Sequence, residues 1–281
     1  MSLPAKPLLT LTLDLEDESG LGPARLEVLA DRILVPAERL GFRATVFVVG
    51  QLAHEAPGLI RRLAARGHEI AFHAHAHVPL PFEDPARFRQ ESQDDKKRLE
   101  DLAGKPVLGF RAPGFSLTPQ TTWALDALAE RGFTYTSSVV PGRIARYGFP
   151  GAPRVPFRWP QGLVEFPVPT LPLVHAPYLG GIYLYAVPLP VTRWIQRRAG
   201  SNGALWTYTH AQDMDTDGPY HALPNTPTWM SWLLWYARRR AVRVLPRLLE
   251  SSTPNRPLGE RAADKTPLTT FQARLGHKKA I

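Results

Sequence analysis

Three histidines, His73, His75 and His77, follow the short apolar run Ile70-Ala71-Phe72. Neutral imidazole is the commonest protein metal ligand, so histidines this dense at the end of a strand-like run point to a metal. A second segment, Asp14-Leu15-Glu16-Asp17, ends the apolar run Leu8–Leu13 and offers three carboxylates. Brought together, the two strand ends would make a mixed histidine/carboxylate site for a divalent ion. His73 and His77 are spaced i, i+4, and one helical turn would place their Cβ atoms ~5–6 Å apart. A continued strand would align all three rings instead. Pro79 and Pro81 limit either element, and the spacing favours a turn in which His73 and His77 are ligands and His75 points elsewhere. On a strand Asp14 and Glu16 share one side. One carboxylate can complete the set, and the other can stay unligated to take a proton from an acidified water. The competing readings are buried structural histidines with polar partners and an acidic cluster at a helix N-terminus.

The elements that must position these residues alternate. Strands are expected at Leu8–Leu13, Ala44–Val49, Glu69–Phe72, Val107–Phe110, Phe133–Ser137, Leu163–Val168, Ala204–Thr209 and Val242–Leu245. Helices are expected at Pro57–Arg66, Pro85–Leu102, Thr118–Arg131 and Asn225–Arg238, from apolar spacing and from Pro and Gly at their ends. Such alternation implies an α/β fold with mainly parallel strands. Asp14, His73, Arg111 and His210 each follow a separate predicted strand. In parallel α/β architectures ligands bind outside the carboxyl ends of the strands, so these four converge.

Residues 138–192 break the rhythm with dense Pro, Gly and aromatic residues, a long excursion of the kind that builds a binding rim. An aromatic rim suits sugar rings, although the same aromatics could simply pin the excursion to the body. Residues 1–250 read as one domain and 251–281 as a basic, disordered tail, with six Lys or Arg against Glu260 and Asp264. The net charge is +9, and Arg238-Arg239-Arg240-Arg243 adds a second basic cluster. This balance suits an anionic membrane surface or a pyrophosphate-linked lipid. No motif or aromatic–basic interleaving speaks for nucleic acid. The chain lacks cysteine, which excludes disulfides and thiolate metal sites. No apolar run reaches the ~18 residues of a membrane helix. With no secretory leader in view, the expected location is the cytoplasm, with peripheral contact at the inner membrane face.

Thr12-Leu13-Asp14-Leu15-Glu16-Asp17, Gly67-His68-Glu69-Ile70-Ala71-Phe72-His73-Ala74-His75-Ala76-His77 and Arg111-Ala112-Pro113-Gly114-Phe115-Ser116 together resemble the ordered motifs of the polysaccharide deacetylases, carbohydrate esterase family 4. The resemblance runs from about residue 8 to 140, resumes weakly at 204–246, and looks nearest to deacetylases of exopolysaccharide and O-antigen gene sets. It implies a distorted (β/α) barrel that hydrolyses an N-acetyl or other N-acyl group from an amino sugar. By the same resemblance, Asp14 is the general base, Arg111 orients it, and His73 and His77 are metal ligands. His210 would then protonate the leaving amine. The family usually has two adjacent aspartates. Here Leu15 holds the second place, so the metal carboxylate is Glu16 by facing, or Asp17 if the strand bulges. His75, Pro113, Phe115 and Tyr183 are the expected substrate contacts. Zinc is the expected ion, with cobalt, nickel or iron as alternatives. The expected partner is an N-acylated amino sugar or oligosaccharide of a surface polysaccharide or its precursor, a lipid-linked form included. Two departures, Ala74 for a hydroxyl residue and Thr136 for an aspartate, leave room for a catalytically inactive carbohydrate-binding protein. An amidohydrolase of a lipid-linked or non-sugar amide is the other alternative.

Overall fold

The computed structural model describes residues 6–17, 20–142, 147–171, 177–181, 184, 187–199, 205–218, 220 and 227–273. Among these, nine strands form one curled sheet: β1 (Leu8–Leu15), β2 (Ala44–Val48), β3 (Glu69–Phe72), β4 (Gly109–Phe110), β5 (Tyr135–Thr136), β6 (Phe157–Arg158), β7 (Val164–Glu165), β8 (Trp206–His210) and β9 (Thr253–Pro254). The order is β6-β7-β5-β4-β3-β2-β1-β8, with β9 beside the start of β1. Every pairing is parallel except β6 with β7. The indole of Trp206 on β8 donates to the carbonyl of Pro167 beyond β7 at 3.0 Å, and Gly180 bridges to Tyr208. These contacts curl the sheet into a distorted (β/α) barrel.

Helices cover the outside: α1 (Pro23–Arg39), α2 (Gly50–Glu55), α3 (Pro57–Ala65), α4 (Pro85–Ala103), α5 (Trp123–Glu130), α6 (Leu189–Ala199), α7 (Thr228–Glu250) and α8 (Leu258–Ala262). The period-2 alternation of the strands sorts their side chains into two cores. Leu9, Leu11, Leu13 and Leu15 of β1, with Val46 and Val48 of β2, face the helices and meet Leu29, Ile33 and Leu63. The opposite faces fill the barrel with Phe47, Ala71, Tyr135, Trp206 and Tyr208. Asp14 and Glu16 therefore point inward because the leucines between them point outward.

The sequence expectation departs from the fold most clearly at Val242–Leu245 and at the C-terminal segment, while the helix expected from Thr118 begins at Trp123. Val242–Leu245 is not a strand; it lies inside α7, which runs through Pro246 to Glu250. Ala241, Leu245, Leu248 and Leu249 are buried at helical spacing, and this longer period overrides the short branched run. Residues 251–273 are not a tail. β9 pairs with Leu8 and Leu9, and α8 closes the bottom of the barrel with a fully buried Leu258. Phe271 packs edge-on among Phe149, Phe157 and Trp159. Three of the charges that suggested disorder are paired, Arg256 with Asp264 and Glu260 with Arg43, and residues 274–281 lie outside the described residues. Phe149, Phe157, Trp159 and Tyr178 of the excursion are buried, so these aromatics pin it to the body.

Candidate metal and acid–base site

Strand register assembles the site. Asp14 is the Cα partner of His210 across β1 and β8, and Phe72 of Phe110 across β3 and β4. The residues one step beyond β3 and β4, His73 and Arg111, are thereby adjacent. The amide of Arg111 donates to the carbonyl of Phe72 at 2.9 Å.

Glu16, His73 and His77 each offer a ligand atom within 4.8 Å of the others. Glu16 Oε2 lies 2.5 Å from His77 Nε2 and 3.4 Å from His73 Nε2. His73 Nδ1 lies 2.8 Å from the carbonyl of Arg111. A carbonyl only accepts, so Nδ1 carries a proton toward it and Nε2 is the ring atom left facing Glu16. Glu16 Oε2 is buried and has no hydrogen-bond donor. A carboxylate oxygen so placed, facing two imidazole nitrogens, is the donor set a divalent cation takes. Burial would raise the Glu16 carboxyl, but His77 and His73, with His210 behind, outweigh it and hold it well below the usual range. Asp17 is engaged elsewhere: its two oxygens accept from the amides of Leu21 and Gly22, each at 2.7 Å, which fixes the entry into α1. The strand runs without a bulge to Leu15, and the inward carboxylate is Glu16.

Beside this trio lies a second set. Asp14 Oδ1 accepts from Arg111 Nη1 at 2.5 Å, while Asp14 Oδ2 and Glu16 Oε1 are each 3.8 Å from His210 Nε2. Arg111 is fully buried, stacks 3.9 Å from the Phe47 ring and 4.6 Å from that of Trp206, and also donates to Thr12 Oγ1 and Ser137 Oγ. Burial lowers its guanidinium and Asp14 opposes that; an arginine stays charged through such a shift. On its far side His210 Nδ1 meets Asp213 Oδ2 at 3.3 Å, and the same oxygen accepts the His210 amide at 2.9 Å. Burial disfavours the charged ring, but Asp213, then Glu16 and Asp14, outweigh it and push His210 up to about 10.

His75 faces away from the trio, with Nδ1 2.9 Å from Asp95 Oδ2 on α4. The loop it belongs to is also tied to α2, where the amides of Gly50 and Gln51 donate to the carbonyls of Ala74 and His75 at 2.8 and 3.0 Å. Ala74 and His77 both take left-handed backbone, at φ 61° and 55°. Such conformations persist only where surroundings over-determine them. Pro113 is buried. Phe115 is half-buried, edge-on to Tyr208 at 4.9 Å, and Tyr208 in turn lies 6.3 Å from the His210 ring. Tyr183 lies outside the described residues. A cleft of about 450 Å³ opens beside the trio, lined by Glu16, Asp17, Val49, Gln51 and His77 among others. A larger apolar hollow of about 770 Å³ lies between α1 and α7 and contains none of these groups.

Sequence reasoning missed three supporting residues: Asp213, Asp95 and Glu165. Asp213 was findable, three residues past His210 and within reach of a turn. Asp95 and Glu165 carry no local signal. Glu165, the register partner of Thr136, accepts from the amides of Ser138 and Val139 and from the Trp159 indole. It thereby fixes the turn whose Ser137 carbonyl takes Arg111 Nε at 3.3 Å. Burial pushes its carboxyl up to about 7.

Residues 5–147 match the family model described as polysaccharide deacetylase, and residues 137–255 match one described as a domain of unknown function, DUF3473. A peptidoglycan-N-acetylglucosamine deacetylase of Bacillus cereus is 29% identical over 96 residues, 34% of this chain and 35% of that protein. A chitooligosaccharide deacetylase of Sinorhizobium fredii is 40% identical over 74 residues, 26% of this chain and 31% of that protein. The chain spans about a third of the length of these curated relatives. Among solved structures, a candidate polysaccharide deacetylase from Mycobacterium smegmatis superposes with a TM-score of 0.61 at 20% identity, covering 97% of this chain and 96% of that one. An allantoinase superposes at 0.50 and 16% identity, covering 91% and 96%. At these identities the superpositions establish the fold alone.

Proposed function

Because the chain belongs to the polysaccharide deacetylase family, we propose that it is a metal-dependent hydrolase. Its substrate would carry an N-acetyl or other N-acyl group on an amino sugar of a bacterial surface polysaccharide or its precursor. The observation that carries this reading is the pair Asp14 and His210, an oriented base and an oriented acid flanking Glu16, His73 and His77. Glu16, His73 and His77 would hold the ion, zinc first and cobalt, nickel or iron as alternatives. The ion would supply Lewis acidity toward the acyl oxygen and the attacking water. Asp14, kept aimed by Arg111, accepts a proton as water adds to the acyl carbon. His210, already protonated at neutral pH by virtue of Asp213, gives its proton to the amide nitrogen as the C–N bond breaks. The products are a carboxylic acid and the free amine. The relatives' names, peptidoglycan N-acetylglucosamine and chitooligosaccharide deacetylases, support an N-acetylated glucosamine oligosaccharide as the first substrate to test.

The inactive-binder reading drew on Ala74 and on Thr136. That threonine hydrogen-bonds Ser138, and the carboxylate beside His210 comes instead from Asp213. This favours an active enzyme. In the test, acetate release from N-acetylated chitooligosaccharides is measured with zinc or cobalt added. Asp14→Asn should lose at least about 10²-fold in kcat, the low end of what a positioned general base contributes, while binding metal as tightly as the wild type. Turnover near wild type in that variant would sink the mechanism, and metal-loaded wild-type protein releasing no acetate would return the reading to a binding protein. Among the described residues no helix is long and apolar enough to cross a membrane. We place the enzyme at the cytoplasmic side, with a lipid-linked precursor as one form of substrate.

A further inference from the structure

The outward face of α7 breaks the usual rule for a surface helix. Trp229, Trp232, Leu233 and Tyr236 are spaced i, i+3, i+4, i+7, and all are exposed, Trp229 at 67% and Trp232 at 53%. A helix that packs on a core keeps polar residues on its far side. Here the core side is Ala241, Leu245, Leu248 and Leu249, and the apolar residues named above lie opposite. The same stripe then continues into Arg240 and Arg243, both exposed, with Arg239 next to it. Trp232 and Tyr236 stack on each other at 5.6 Å, and the Arg239 guanidinium lies 5.4 Å from the Tyr236 ring. The stripe therefore holds amphipathic rings at one end and fixed positive charge at the other.

Its position matters. α7 is 23 residues long, or ~34 Å at 1.5 Å per residue. Its last turn leads into β9 at the bottom of the barrel, so its first turns stand at the mouth. Trp235 donates to the carbonyl of Gly218, and Gly218 donates to Asp215, in the segment that follows His210. The exposed rings are thus at the same end of the molecule as the acid–base site.

We propose that this face of α7 docks the protein on an anionic lipid bilayer, with Trp229, Trp232, Leu233 and Tyr236 entering the headgroup layer and Arg239, Arg240 and Arg243 pairing with lipid phosphates. Trp and Tyr favour the membrane interface because their rings combine an apolar body with a polar edge. Each arginine near an anionic surface adds about 1 kcal/mol. Charge selects this occupant over a second copy of the same stripe, since residues 228–249 contain no Asp or Glu and would offer the three guanidinium groups no counter-charge. It also selects it over a neutral sugar, which gains nothing from three guanidinium groups. Two cations of residues 251–273 are engaged elsewhere: Arg256 is paired with Asp264, and Arg261 reaches Thr10.

The test is co-sedimentation with vesicles of phosphatidylcholine alone and of phosphatidylcholine with 30% phosphatidylglycerol. Wild-type protein should bind the anionic vesicles, ignore the neutral ones and be released by high salt. The Trp229→Ala/Trp232→Ala/Tyr236→Ala variant and the Arg240→Glu/Arg243→Glu variant should each bind about tenfold or more weakly. Both should keep the wild-type melting temperature and wild-type acetate release from soluble oligosaccharide, because none of these residues touches the site. Deleting residues 274–281 should leave binding intact. Absence of wild-type binding to anionic vesicles, or wild-type-like binding by both stripe variants, overturns the proposal. So does a stripe-dependent dimer or stripe-dependent retention on insoluble chitin without vesicle binding.

Discussion

Arg111, Asp14, His210 and Asp213 form a chain of charge contacts in which Arg111 aims Asp14 and Asp213 aims His210. The ends of that chain differ in how readable they were. His73, His77 and Glu16 declared themselves through spacing and facing, which are local properties of one turn and one strand. His75 did not, because its partner Asp95 lies 20 residues away on α4. Its assigned part as a substrate contact now gives way to a proposal with a structural basis: His75 buckles the ligand loop to α4. The loop needs a buckle because Ala74 and His77 both hold left-handed backbone. Removing the His75–Asp95 contact should let the loop relax and spread the ligands. His75→Ala and Asp95→Ala should each retain one metal per chain at saturation but weaken metal affinity about tenfold, the lower end for loss of a supporting contact. Competition titration with a chromogenic chelator measures it. Affinity equal to wild type would show that the two ties to α2 suffice.

Period-2 alternation is the element-level device that made the fold legible. Within Leu8–Leu15 the strand places Leu9, Leu11, Leu13 and Leu15 outward and Thr10, Thr12 and Asp14 inward, and Glu16 continues the phase. Strand type and helix type were readable wherever one period dominated a long segment. They were not readable at Val242–Leu245, where Val242, Val244 and Leu245 match a strand only if the helical phase of the neighbouring residues is ignored. Nor could residues 253–273 be read, since their order comes from what they cover rather than from their own pattern. Glu69 illustrates this: its buried carboxylate accepts from Thr45, Tyr135 and the Gly259 amide, stitching β2, β3, β5 and α8 together. A Cβ at 259 would meet a Glu69 oxygen at 2.2 Å, so a larger residue there would have to push that carboxylate away from its partners. Leu258, fully buried beside it, plugs the barrel. Leu258→Ala should cost about 2–5 kcal/mol by opening a cavity there, read as a lower urea midpoint at unchanged slope. A loss under about 0.5 kcal/mol, the range of ordinary surface substitutions, would mean that α8 merely rests on the barrel.

The whole molecule's response to pH follows from the groups whose acidity the fold shifts. His210 is held at about 10 instead of its ordinary 6.5. A base raised in this way contributes stability that is complete below its unfolded value and is lost as pH climbs through the folded one. Glu165, raised from 4.5 to about 7, acts in the same direction: its neutral form is the one the interior prefers, so its contribution fades as pH rises through that interval. Glu16 works oppositely, since its carboxyl is held well below 4.5 and its stabilisation disappears only as pH falls into the acid range. Chelator-treated protein should therefore be most stable in mildly acidic solution, with a melting temperature that declines from pH 6.5 to 10. For a chain of this size each kcal/mol lost lowers that temperature by about 2–4 °C. His210→Gln should flatten the decline above pH 6.5 while leaving the acid limb in place. Added zinc should raise the whole curve by mass action. It should also make the alkaline limb shallower, because a cation bound by Glu16 removes part of the negative charge that holds the His210 proton. Scanning calorimetry between pH 5 and 10, with and without metal, measures both limbs. An alkaline limb equally steep in His210→Gln and wild type would show that other groups carry the pH dependence and that His210 is not the held acid that proton donation to the leaving amine requires.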